Sequence, residues 1–164
     1  MSTPCSYPQA SYATVKADVQ KIQSDVATLY QSLKNTQGTS YGQALAIDQA
    51  SNALNSEINT ANTDAQAVSS VTSAEAKALL SILSKTYTNV SAASKRLIAL
   101  EPAFKKLGVA GIAKSDVGKL VASTKTFGAT LVSKAPAAEK KAASALASKY
   151  NAALASAAAA YASD

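Results

Sequence analysis

The sequence has no histidine and no tryptophan, a single cysteine and a single arginine, and each shortage removes a class of function. Without histidine, neither a Ser-His-Asp nor a Cys-His nucleophile can be assembled, and a lone Cys5 cannot replace the usual zinc ligands. No phosphate-cradling glycine motif occurs. The ten Asp and Glu residues are spread over helix surfaces and caps, without the paired, cleft-bound arrangement that glycoside chemistry needs. No enzymatic activity, cofactor or metal is expected. One cysteine excludes an internal disulfide and leaves the redox compartment unread. With aromatic residues at 5% and Arg96 as the only guanidinium, the forks and stacking platforms that read nucleic acids are missing. The formal charge of +6 therefore rests on lysine and reads as a solvated cationic face, one that also suits anionic headgroups or an acidic polymer. No apolar run approaches the ~20 residues of a membrane span. The start, MSTPCSYPQ, is unlike a signal peptide, so the chain is either cytosolic or has had such a signal replaced by Met1. Asn89-Val90-Ser91 is a glycosylation tripeptide, placed in the middle of an expected helix.

Gly and Pro are also scarce, and no alternating Val/Ile/Thr run argues for strands. What remains is an all-α protein of one domain, residues 10–163, behind a disordered tail over residues 1–9. Alanine supplies much of the 48% apolar content, so the core is built of small side chains. The organising stretch is Ser73–Leu100, led in by Thr72 and Ser73 with Glu75 placed as in a capping box and stopped by Pro102. It is apolar on more than one side, which marks a buried helix. Before it run a first helix from about Gln9 to Lys34, with an apolar seam spaced 4-3-4-3 from Val15 to Leu33, and a second from Gln43 to Ser69. After it come a one-to-two-turn helix between Pro102 and Gly108, a fourth from Val117 to Lys134 capped by Ser115 or Asp116, and an Ala-rich fifth opened by Pro136. The expected architecture is a five-helix up-and-down bundle, with short loops.

Long seams poor in bulky residues can close tightly on their small side chains or leave an elongated apolar tunnel for a guest. In the second case the tunnel lining comes from the seams. The first helix supplies Ile22, Val26 and Leu29, and the second Leu54 and Ile58. The central helix supplies Leu80, Leu83, Tyr87, Val90 and Leu97, with Phe104 beyond it. The last two supply Leu120, Phe127, Leu131, Leu146 and Tyr150. Ser51, Ser94 and Thr124 interrupt these seams with hydroxyls, each of which can bond back to its own helix or meet the carboxylate of a fatty acid. Burying an alkyl chain at ~0.8 kcal/mol per methylene would drive such binding.

The order of a Val15/Val19/Ile22 seam, a Gly-containing loop, a Ser73-capped central helix, the Leu100-Glu101-Pro102-Ala-Phe104 to Gly108 turn, and Lys134-Ala135-Pro136 opening an Ala-rich helix resembles one family. It is similar to the fungal hydrophobic surface binding protein A family, and most closely to the ligand-binding domains of cell-wall galactomannoproteins. The resemblance implies a secreted or cell-wall monomer that sequesters long-chain fatty acids such as arachidonic acid, a virulence function that captures host signalling lipid. It also implies that the signal has been removed and that the domain is excised from a longer protein. Other members are described as coating hydrophobic surfaces and recruiting esterases, the alternative reading.

Overall fold

The computed structural model describes residues 11–164; the tail reading and Cys5 lie outside the described residues. Five helices follow one another: α1 (Tyr12–Asn35), α2 (Tyr41–Ala67), α3 (Ser73–Leu107), α4 (Ala110–Lys134) and α5 (Ala137–Ala160). No strand occurs among the described residues, and no helix there is long and apolar enough to cross a membrane.

Local chemistry sets most boundaries. Ser11 and Ser40 accept the Thr14 and Gln43 amides at the starts of α1 and α2. Thr72 and Glu75 close a reciprocal capping box on α3. Two expected boundaries move. Pro102 does not end the central helix, because it lies on an exposed face and the carbonyl that its missing N–H would have met belongs to the exposed Ile98, so the lost bond falls on the solvent side of the helix. The short separate helix is therefore the end of α3. The true stop is Gly108, left-handed at φ 84°, with the Val109 amide closing on Phe104 O at 2.9 Å. This turn is so tight that α4 starts at Ala110. Neither Ser115 nor Asp116 is its cap, and Asp116 is buried within the helix.

The helices form a closed ring in the order α1, α2, α4, α5, α3 and back to α1. Consecutive helices alternate in direction, but three of the five ring contacts are parallel. Arg96 of α3 reaches the C-terminal end of α1, donating from Nε to Leu33 O at 3.0 Å and from Nη2 to Thr36 O at 2.6 Å. Tyr150 of α5 and Tyr161, the residue that caps its C-terminal end, donate in step to Leu83 O and Leu97 O of α3. Thr130 of α4 meets Asn62 of α2 at 2.6 Å, far along both helices. The only arginine thus serves as a two-pronged cap for α1, a task that suits a planar fork. The α1–α2 loop locks the same end: Gly38, at φ 78°, lies so close to α3 that a Cβ there would stand 2.7 Å from Ala103 Cβ. Because α3 is flanked by α1 and α5 and also faces the ring axis, it buries more than one side, as its sequence requires.

A candidate lipid cavity along the ring axis

Five helices in a ring leave an axial space that four close-packed helices would not. Here it is a narrow void of about 90 Å³, and all five helices contribute to its wall. From Leu80 to Leu97 the wall on α3 spans roughly 25 Å at 1.5 Å per residue. The void is smaller than the ~150 Å³ cavity that admits one benzene ring. As it stands it is a seam, and an alkyl chain can enter only if the wall moves apart.

The wall is unequal around the ring. Ile22, Val26 and Leu29 on α1, and Leu54 and Ile58 on α2, are all buried. On the other side Thr124, Gly128 and Leu131 of α4, and Leu146, Ala147 and Tyr150 of α5, are only half-buried. There the helices meet on their smallest side chains: a Cβ built on Gly128 would lie 3.3 Å from Ala147 Cβ.

Fourteen of the sixteen apolar residues expected from the seams line this void: those just named on α1 and α2; Leu80, Leu83, Val90 and Leu97; Leu120, Phe127 and Leu131; and Leu146 and Tyr150. Two lie elsewhere. Tyr87 is behind the wall, its ring tilted against Tyr150 with centroids 5.5 Å apart. Phe104, 2% exposed, is past the end of the void, over the α1–α2 loop and beside Val109. Of the three hydroxyls, Ser94 and Thr124 are on the wall and Ser51 is not, although it is buried in α2. A ring helix buries its flanks against two neighbours as well as its lumen face, so burial alone does not place a residue on the axis.

Six wall residues were not expected: Ala93, Val117, Gly128, Ala143, Ala147 and Leu154. Five are small or at a seam edge. Leu154 had a usable signal, since 143, 147, 150 and 154 step by fours and threes along α5. Tyr150 combines two roles: its ring is on the wall and its hydroxyl donates to Leu83 O at 2.5 Å. Burial raises its pKa well above the phenol range, so it stays a neutral donor. No charged side chain lines the void, and the polar groups there are the hydroxyls of Ser94, Thr124 and Tyr150. Such a site can take up an apolar chain and offer hydroxyl hydrogen bonds to one polar end. It has no acid, base or nucleophile pair for catalysis.

The sequence matches the family model for hydrophobic surface binding protein A over residues 12–133, which covers α1 to α4. No curated protein gave a match. Among solved structures the fold is similar to that of AFMP4P in complex with palmitic acid, with TM-score 0.86, 27% identity, and coverage of 92% of this chain and 99% of that one. It is also similar to ligand-binding domain 1 of Penicillium marneffei MP1 complexed with arachidonic acids, with TM-score 0.85, 16% identity, and coverage of 92% and 98%. Ligand-binding domain 2 of the same protein, complexed with multiple arachidonic acids, aligns with TM-score 0.83 at 16% identity, covering 90% of this chain and 94% of that one.

Proposed function

The chain belongs to the hydrophobic surface binding protein A family, and from that premise we propose that it is a non-catalytic carrier that sequesters a long-chain fatty acid along the axis of its helical ring. The observation that carries this reading is the lengthwise apolar void walled by all five helices. The palmitate and arachidonate complexes of proteins with this fold support it. The alkyl chain replaces water-free empty space and small-residue contacts with methylene packing. Ser94 and Thr124 donate to the carboxylate, and the charge on the acceptor makes such bonds stronger than those between neutral groups.

Uptake requires the ring to widen, and the half-buried α4–α5 wall is where it does so. Parting Gly128 from Ala147 gives up less packed area than parting the Val, Ile and Leu contacts of α1 and α2. The working form is a monomer acting outside the cell, since a complete ring needs no second chain to close its core.

Native mass spectrometry of the purified protein, before and after incubation with palmitate and arachidonate, tests this directly. A discrete added mass matching one or more fatty acids, displaced by excess competitor, is the expected result. A bare mass before and after both fatty acids overturns the carrier reading.

A further inference from the structure

Apart from the axial void, a shallow groove lies between the starts of α2 and α4. Its rim is apolar yet wet: Tyr41 is 56% exposed, Leu45 49% and Ile112 43%. Tyr41 and Leu45 are one turn apart on α2, hence on one face, and Ile112 is in the first turn of α4. The charged residues in its lining are two carboxylates, Asp48 of α2 and Asp116 of α4, which face each other within hydrogen-bonding reach. The space enclosed is about 20 Å³, room for one group the size of a water molecule.

Asp116 is only 7% exposed, and among the described residues no backbone or side-chain N–H or hydroxyl bonds its carboxyl. Asp48 accepts from the neutral Asn52 amide at 3.3 Å. The lysines of this end do not serve the pair. Lys114 donates to Ala162 O and Asp164 O, and Lys105 pairs with Asp164 at 3.7 Å. Lys119 favours the Asp116 charge only from a distance, its side chain exposed and in no ion pair among the described residues. Both carboxylates lie past the first turn of their helices, beyond the free amides of the helix starts. The C-terminal carbonyls of α1, α3 and α5 are at the same end and add negative potential. A proton shared by the two carboxyls holds the pair at low pH. Burial, and then Asp48 alongside, raise Asp116 to about 7, so above that value two like charges face each other without an ion-paired cation.

We propose that this groove binds a small amphiphilic amine, its primary ammonium seated between Asp48 and Asp116 and its apolar body lying across Tyr41, Leu45 and Ile112. A primary ammonium is close to a water molecule in size and carries three donors, so it bonds both carboxylates at once and supplies the charge they lack. The apolar body takes three exposed side chains out of water, which an inorganic cation cannot do. A neutral or anionic amphiphile would leave the carboxylates unpaired and desolvated. The site is independent of fatty-acid uptake, because none of these five residues is on the axial wall.

Isothermal titration calorimetry with octylammonium chloride tests the proposal, with octanol, octanoate and methylammonium as controls. One octylammonium per chain is expected, with each control weaker by about tenfold or more. Asp48→Asn combined with Asp116→Asn should cost about tenfold to a hundredfold in affinity, the range of a hydrogen bond to a charged group. Tyr41→Ser with Leu45→Ser and Ile112→Ser, all at exposed positions, should cost several-fold. Affinity should also fall from about pH 8 to about pH 5, as Asp116 regains its proton. Circular dichroism checks that each variant folds. No binding by the parent, methylammonium or octanol binding as tightly as octylammonium, or a folded Asn or Ser variant that binds like the parent overturns the proposal. So does loss of binding in Thr124→Phe, which fills the axial void, since the amine would then be on the axis. A concentration-dependent dimer in sedimentation velocity that the serine variant abolishes overturns it as well, since a second copy would then cover the groove.

Discussion

Helices α1 and α5 are both 24 residues long, and both pack parallel to α3, on opposite sides of it, yet they hold their places by different means. Helix α1 presents Val15, Val19, Ile22, Val26, Leu29 and Leu33, none more than 4% exposed. Helix α5 presents mainly alanine, with Leu146 and Tyr150 half-buried, and is strutted to α3 by the hydroxyls of Tyr150 and Tyr161. Its ends are tied by Lys77–Glu139 at 3.8 Å and Lys105–Asp164 at 3.7 Å. Branched side chains make no hydrogen bonds and stabilise only by close contact, so α1 closes on its neighbours. A tyrosine that bonds at its tip holds its neighbour at the length of its ring. The same central helix is therefore sealed on one side and propped on the other, and the propped helix, α5, is the one whose contact with α4 would part to admit the proposed guest.

Four changes test that difference, in order of expected effect. Leu33→Ala, on the sealed side and away from the void, should destabilise the protein by about 2–5 kcal/mol in urea unfolding, with the transition still cooperative. A loss below about 1 kcal/mol would mean that α1 is no better packed than α5. On the propped side, Thr124→Phe places a ring into the void. It should abolish fatty-acid loading in native mass spectrometry at a cost of only about 1–3 kcal/mol in stability. Tyr161→Phe removes one strut and should cost about 1 kcal/mol in thermal unfolding, with the helix content unchanged.

The smallest effect is pH dependence. Burial, then the Asp64 carboxyl beside it, raise Asp18 of α1 to about 7. Burial, then Asp48, do the same for Asp116. Both groups bind a proton more tightly in the folded state than in the unfolded chain, where the Asp value is near 3.9. Their contribution is thus fully present below about pH 4 and is lost as the pH rises through about 7. The melting temperature should fall gradually from pH 4.5 to pH 8, and Asp18→Asn with Asp116→Asn should flatten that slope. A melting temperature that rises over the same interval would show that the facing carboxyls do not share protons.

How much of this was legible in the chain varied with the helix. On α1 the 4-3 spacing of Val, Ile and Leu identifies all six buried residues, because no other face offers a competing apolar set. On α5 nearly every face is alanine, so beyond Leu146 and Tyr150 the stripe could not be followed, and Leu154 was not among the expected lining residues. Pro102 and Ser115 carried correct local signals for helix ends and were overruled: one lies where the lost bond falls on an exposed face, the other is the sixth residue of a helix that Gly108 allows to start early. Tyr87, Phe104 and Ser51 were rightly placed on seams, but a seam does not say which neighbour it meets.

By itself the sequence determined that the protein is helical, that long segments carry apolar seams, and that no histidine is available to them. These follow from residue type and period, which act within a few turns of backbone. Only the tertiary structure decided the ring order, with α2 beside α4 and α5 beside α3, and hence which seam faces turn to the axis and where a void remains. Ring order depends on how whole helix surfaces fit against distant ones, and no local pattern in the chain encodes the identity of the partner.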